Sequence, residues 1–255
     1  MKNPLRKILL KIKVEAITLG SFPFGESHKV IVLMTKNNGI LKGVAHGVRK
    51  PTSKFASSME MFNTVELLLQ SSKNSDLYSI REHSVITGRH EIRQNPNLMG
   101  YFFYLSEFLN EFYKIASHDK NVFNLVNEYL DAFGSGNNLY SLFRALTVKL
   151  IFESGFVGEP YYCSECTKQV SSIKLSPRAG YFFCENCAND VYAETITTGS
   201  VKLLIKLNNS SIEEIKRIKI NQIQKKELDN IVNTIVKGIF GKKLKSEQYI
   251  YLNAK

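Results

Sequence analysis

Cys163, Cys166, Cys184 and Cys187 form two C-x-x-C pairs separated by seventeen residues, and they are the only cysteines in the 255-residue chain. A tetrahedral zinc ion held by four thiolates requires two short pairs brought together by a loop, and this spacing lies within that range. Four sulfurs fill the coordination shell and leave no position for water or substrate, so the expected role is structural. Tyr161-Tyr162 and Tyr181-Phe182-Phe183 lead into the two pairs as short strands, and Ser176-Pro177-Arg178-Ala179-Gly180 reads as the turn between them. Together they predict a β-hairpin zinc ribbon over residues 160–192. Small-residue turns are common after the second cysteine of each knuckle; Thr167 and Ala188 stand there in this chain. Two disulfides are the alternative, and they need an oxidising compartment. Lys2, Arg6, Lys7, Lys11 and Lys13 surround an apolar run, Ile8 to Leu10, that is too short for a signal-peptide core. One zinc ion is therefore the expected cofactor.

Other chemistry finds little support. A zinc-dependent hydrolase or nuclease would need an open metal site or paired carboxylates, and neither H-E-x-x-H nor a D-x-D-like pair occurs. His28, His46, His83, His90 and His118 are scattered. No G-x-x-x-x-G-K-[ST] phosphate loop is present. The expectation is a binding protein, with no catalytic residue to name.

A hydrophobic content of 44% supports real cores in one large or two to three small domains. No stretch approaches the roughly 20 apolar residues that span a bilayer, so a cytoplasmic protein is expected. Net charge is +11, and its distribution is uneven. Residues 1–60 carry eleven Lys or Arg against three acids, a net +8, and residues 196–255 carry twelve against five, +7. Residues 61–140 carry six against nine, −3, and residues 141–195 five against six, −1. Charge concentrated at the two ends favours a localised surface for a polyanion.

The elements that would position these groups divide near residue 85. Val14 to Leu19, His28 to Thr35, Ile40 to His46, Glu60 to Gln70 and Leu77 to Ile86 read as five strands, with Asn37-Asn38-Gly39 as a hairpin turn. The segment from Gly47 to Phe55 stops a strand and places Arg49, Lys50 and Lys54 within six residues. Five short strands with basic, aromatic-bearing loops fit an OB-fold barrel over residues 1–85, which binds single strands through charge and base stacking. Phe22, Phe24 and Phe55 are stacking platforms or buried barrel residues. From Asn95 the period becomes helical: Leu98, Tyr101, Phe102, Leu105, Phe108, Leu109 and Phe112 recur at steps of three and four. Asn95 and Pro96 suit the first turn of that helix. Further helices are expected at Asn121 to Phe133, Leu139 to Glu153, Gly199 to Leu207 and Gln222 to Phe240. The result is an α+β chain: a barrel, then an α-helical domain over 90–255 interrupted by the ribbon.

The combination resembles the RecO family of bacterial recombination mediators over nearly the whole chain. Gly25-Glu26, Gly39, Ala45-x-Gly47-x-Arg49, Ser53-Lys54-Phe55 and Phe62-x-x-Val65-Glu66-Leu67 follow its amino-terminal pattern in order. Phe143-Arg144, Leu150-Ile151 and Gly155 resemble the helix before its zinc ribbon. Val48 stands where a small residue is usual, and Met61 where proline often precedes the phenylalanine. The resemblance implies a non-enzymatic DNA repair and recombination protein of the bacterial cytoplasm and nucleoid. Such proteins bind single- and double-stranded DNA and anneal complementary strands. With the partner RecR they help RecA replace single-strand-binding protein, whose acidic carboxy-terminal tail they also contact.

Arg49, Lys50 and Lys54 are the leading DNA contacts, with Lys29 and Lys42 as further candidates that also suit ordinary outward strand positions. Arg144 matches a position near the family's tail-binding surface, where a guanidinium pairs with a terminal carboxylate; a structural salt bridge is the alternative. Lys242, Lys243 and Lys245 read as a solvated run. An RNA-binding translation or ribosome-associated factor would share the barrel, ribbon and charge, because single-strand grooves accept either sugar.

Overall fold

The computed structural model describes residues 10–50, 53, 55, 57–72, 75–115, 120–169, 173–175, 181–188 and 194–251. The chain forms two compact units, one of Met1–Pro96 with Phe108–Gly134, the other of Asn97–Glu107 with Ser135–Lys255.

In the first unit β1 (Lys11–Phe24), β2 (His28–Thr35), β3 (Gly39–Ala45), β4 (Thr64–Gln70) and β5 (Tyr78–Thr87) close into an OB-like barrel in the order β1-β2-β3-β5-β4. Every neighbouring pair is antiparallel except β3 with β5, which meet in parallel at Gly43↔Tyr78 and Val44↔Ser79. The alternation read in the sequence fills the interior: Val14 and Ala16, Ile31 and Leu33, and Val65, Leu67 and Leu69 are buried in one cluster with Ile80. Closure is tight at Gly43, where a Cβ would lie 2.8 Å from Cγ1 of Ile80. The hairpin at Gly39 turns through a left-handed φ of 67°. There the Thr35 hydroxyl donates to the Gly39 carbonyl at 2.7 Å and accepts from the Asn38 amide at 3.0 Å.

β4 starts at Thr64, four residues later than the sequence pattern suggests, because the backbone before it turns. Phe62 is buried with a φ of 63°, a conformation that disfavours bulky residues. Arg89 holds this turn. Its Nη1 donates to the Phe62 carbonyl at 2.8 Å and the Thr64 hydroxyl at 2.9 Å. After the short helix α1 (His90–Gln94) come α2 (Pro96–Phe112) and α3 (Lys120–Phe133). The Arg89 guanidinium reaches α3 through Asp131, at 2.7 Å from Nε, and through Asn127 Oδ1, at 2.9 Å from Nη2. A buried cation is tolerated only when its donors are satisfied in this way.

The second unit takes residues 97–107 of α2 together with α4 (Leu139–Glu153), α5 (Thr198–Asn209), α6 (Ile212–Ile215), α7 (Gln222–Phe240) and α8 (Glu247–Ile250). Helix α4 is buried from Ser141 to Val148 without a break, as suits a central helix. Helix α7 begins with an Asn221/Gln224 capping box and ends at Gly241, whose φ is 67°. Between α4 and α5 lies a small antiparallel sheet of β6 (Ile173–Leu175), β7 (Phe182–Phe183) and β8 (Glu194–Ile196) in the order β7-β6-β8. The turn expected at Ser176 to Gly180, including Arg178, lies outside the described residues, as does His118. Among the described residues no helix is long and apolar enough to cross a membrane.

Glu107 links α2 to the start of α8. Its carboxylate accepts from the Lys245 and Ser246 amides, at 3.1 and 2.8 Å, and from the Ser246 hydroxyl at 2.6 Å. Partial burial alone would raise its pKa, but these donors outweigh burial and hold it below the ordinary 4.5. Because the unfolded carboxyl binds a proton more readily, the stabilisation is complete above pH 4.5 and is lost as pH falls through the lower folded value. Glu107→Gln is expected to flatten the acid limb of a melting-temperature profile below pH 4.5. An unchanged limb would assign the acid sensitivity to other carboxylates.

Candidate metal centre and nucleic-acid interface

The ribbon brings its four cysteines to one point. The sulfurs of Cys163, Cys166, Cys184 and Cys187 all lie within 4.8 Å of one another, with 3.9 Å between Cys166 and Cys184. A disulfide requires about 2.05 Å, and all four thiols are free. Four sulfurs at about 2.3 Å from a shared ion would stand on the order of 3.8 Å apart, so the quartet fits a tetrahedral metal ion.

Local backbone geometry builds each knuckle. The Thr167 amide donates to the Cys163 carbonyl at 2.9 Å, and the Cys187 and Ala188 amides donate to the Cys184 carbonyl at 3.2 and 3.0 Å. Thr167 carries a φ of 59°, which explains why small residues are favoured at that place: a β-branched side chain is strained there. Its hydroxyl donates to the Cys166 carbonyl at 2.7 Å. The knuckles are joined through the Ser164 amide, which donates to the Phe182 carbonyl at 2.8 Å. Burial alone would raise the Cys163 thiol, but the backbone amides of Cys166, Cys184 and Glu165 bring it down to about 6. Sharing hydrogen bonds with Cys184 and Cys166 pushes Cys187 up to about 12. The bare quartet therefore resists a full set of negative charges, and a divalent cation removes that resistance.

On the barrel, Arg49 and Lys50 are exposed in the loop after β3, and neither has an ion pair among the described residues. Four contacts shape the loop's backbone. The Gly47 amide, at φ 68°, donates to Nδ1 of His28 at 2.9 Å, and the Arg49 amide donates to the Ser27 carbonyl at 3.1 Å. Farther on, the Lys50 amide donates to the Gly47 carbonyl at 3.0 Å and Ser53 to the Lys50 carbonyl at 2.9 Å. Val48, the departure noted in the sequence, is buried against the barrel core. Lys54 lies outside the described residues.

Lys29 and Lys42 occupy opposite faces of the β2-β3 ribbon: Lys29 pairs with Ala45 and shares the register of Ile31 and Leu33, whereas Lys42 pairs with Val32. Lys42 is exposed and Lys29 half-buried. Phe55 packs against the barrel core with its ring 4.3 Å from His83, while Phe22 and Phe24 are exposed.

Arg144 is enclosed in the helical unit. Its Nε donates to Asp229 Oδ1 at 2.7 Å, and Nη2 forms an ion pair with the same oxygen at 2.7 Å. The Tyr140 hydroxyl also donates to that oxygen at 2.7 Å. The guanidinium lies 4.8 Å from the Phe143 ring centroid. Burial alone would lower the Arg144 pKa, but Asp229 and the surrounding tyrosines raise it above the ordinary value. Asp229 also lines an outer cleft of about 1010 Å³ with Ile223, Lys225, Lys226 and Tyr251. Lys243 pairs with Glu247 at 3.2 Å.

Sequence reasoning missed Arg89 and the partner of Arg144. Both guanidiniums are recognised as buried only when their acceptors, 42 and 85 residues away, are in place.

Residues 9–89 match the family model described as "Recombination protein O N terminal", and residues 93–248 match "Recombination protein O C terminal". The chain is 26% identical over 236 residues to a DNA repair protein RecO of Dehalococcoides mccartyi, covering 92% of each. It is 25% identical over 241 residues to the DNA repair protein RecO of Desulforamulus reducens, covering 93% of each. With the DNA repair protein RecO of Bacillus subtilis, identity is 23% over 239 residues and 93% of each chain.

Proposed function

Because the chain belongs to the RecO family of DNA repair proteins, we propose that it is a recombination mediator: it binds and anneals DNA and, with RecR, helps load RecA onto strands coated with single-strand-binding protein. The observation that carries the reading is the exposed Arg49-Lys50 loop, whose backbone is fixed by the Ser27 and His28 contacts. Fixed cations on a closed barrel hold a phosphate backbone and leave bases available to pair, with no need for nucleotide hydrolysis. Lys42, and Lys54 beyond the described residues, extend that surface in the same proposal.

The metal ion is zinc in this reading. A tetrahedral four-sulfur site suits it, and with every position taken by protein it supports a structural, non-enzymatic role. The acidic tail of single-strand-binding protein binds at the cleft beside α7. Lys225 and Lys226 supply the charge there, Ile223 is 73% exposed for apolar contact, and Arg144 sets the floor through Asp229.

The test is charge reversal. The Arg49→Glu/Lys50→Glu variant is expected to bind single-stranded DNA at least tenfold more weakly in fluorescence anisotropy. The slope of log affinity against log salt should shrink by about 1.4, near 0.7 per lost phosphate contact. It should also anneal coated complementary strands more slowly without ATP. An unchanged slope would place the phosphate contacts elsewhere, and cleaved DNA in the reaction would point to an enzyme.

A further inference from the structure

A second cleft, of about 580 Å³, opens beside the barrel and is lined from β1, β2, the turn before β4 and α1. Its lining is mixed in chemistry. Val48, Met59 and Met61 are its apolar lining, and Lys29, His90 and Gln94 are polar. Two further lining charges are already committed to each other: Nη2 of Arg93 lies 2.5 Å from the Glu60 carboxylate, and its Nη1 donates to the Met61 carbonyl at 3.0 Å and to Asn63 Oδ1 at 2.8 Å. Lys29, by contrast, has no ion pair among the described residues. Gln94 Nε2 lies 2.9 Å from His90 Nε2, which leaves the Gln94 carbonyl oxygen and a second amide hydrogen for a ligand.

We propose that this cleft receives one unstacked nucleobase of the bound single strand. Its volume falls in the range of small-molecule sites, with room for one planar ring system. Thioether and branched aliphatic groups suit the faces of such a ring, since methionine sulfur is polarisable and favours π systems. The Gln94 amide presents a donor and an acceptor side by side, as the edge of a base requires. Val48 lines the cleft and Arg49 and Lys50 follow it in the chain, so the strand whose phosphates they hold passes beside the cleft, to whose lining Lys29 adds a cation. This inference rests on the DNA-binding reading of that loop.

A paired base has its edge occupied and its faces stacked, so it enters only after extrusion from the duplex. The cleft therefore favours unpaired strand and gives up its base when a complementary strand captures it. That is a route by which an annealing protein releases its product.

The experiment compares two probes of equal length and charge, an oligothymidylate and the same backbone with every base removed, by fluorescence anisotropy at one salt concentration. The wild-type protein is expected to bind the thymidylate about threefold to tenfold more tightly, as one or two hydrogen bonds and apolar contacts would give. Gln94→Ala, at an exposed position, is expected to remove most of that preference and to leave abasic binding unchanged. Equal affinities in the wild type, or equal weakening of both probes by Gln94→Ala, would overturn the base site alone, provided that binding remains salt-dependent. Failure to bind either probe would overturn both this inference and the DNA-binding reading beneath it.

Discussion

Asp229→Ala is expected to destabilise the helical unit by about 3–5 kcal/mol, the range for removing one partner from a buried ion pair. For a unit of this size that corresponds to a melting-temperature drop of roughly 6–20 °C. The reason is the enclosure of Arg144, whose side chain has 0% exposure and whose guanidinium is surrounded by Phe143, Tyr104 and Tyr140. Asp229 Oδ1 accepts hydrogen bonds from Nε of Arg144 and the Tyr140 hydroxyl, and Nη2 lies 2.7 Å from it as an ion pair. Without it the cation keeps its charge, since arginine does not deprotonate in proteins, and its enclosed guanidinium loses its carboxylate partner. The double variant Arg144→Met/Asp229→Leu removes both charges at similar volume and should recover most of the loss. Thermal denaturation of the three proteins decides the matter. A single-variant cost below about 1 kcal/mol, typical of an exposed pair, would mean that the enclosure opens in solution.

Metal removal is expected to have the larger effect, confined to the ribbon. Strands of 3, 2 and 3 residues around Ile173, Leu175 and Phe182 make a sheet far too small to stand alone, and structural zinc supplies about 10–16 kcal/mol of apparent binding energy in comparable peptides. Purified protein should contain about one zinc per chain. Chelation, or Cys184→Ser, should expose residues 160–192 to limited proteolysis and lower the melting temperature while the barrel still binds DNA. Metal-free protein with full stability and an intact ribbon would refute a structural metal.

How much of this was legible in the sequence follows the range of each interaction. The cysteine quartet was legible because its ligands come in local pairs, and so were the ends of α4 and α7, which agree with the expected Leu139 to Glu153 and Gln222 to Phe240. The five strands were legible from alternation, although β1 runs from Lys11 to Phe24, well beyond Val14 to Leu19, because a bulge between Thr18 and Gly20 carries it past the break in pattern. The turn at Phe62 was not legible: a phenylalanine in a strand-like pattern gives no sign of left-handed backbone, and the groups that hold it there include Arg89. The inclusion of α3 in the barrel's unit was equally hidden, since it depends on Arg89 meeting Asp131 and Asn127. The two roles open for Phe55 separated only when its contacts with the barrel core and His83 were in place.

Barrel closure also sets the order in which this chain can acquire structure. The first strand, Lys11 onward, finds β2 nearby, but its other edge pairs with β4 up to Gln70, and the Arg89 contacts wait for Asn127 and Asp131. A chain synthesised from its amino terminus at about 5–20 residues per second therefore carries an incomplete barrel for several seconds. The late arrivals, β5 and then α3, complete the barrel's unit, whereas α2 and α4 wait longer still, until Ser246 reaches Glu107 and Asp229 reaches Arg144.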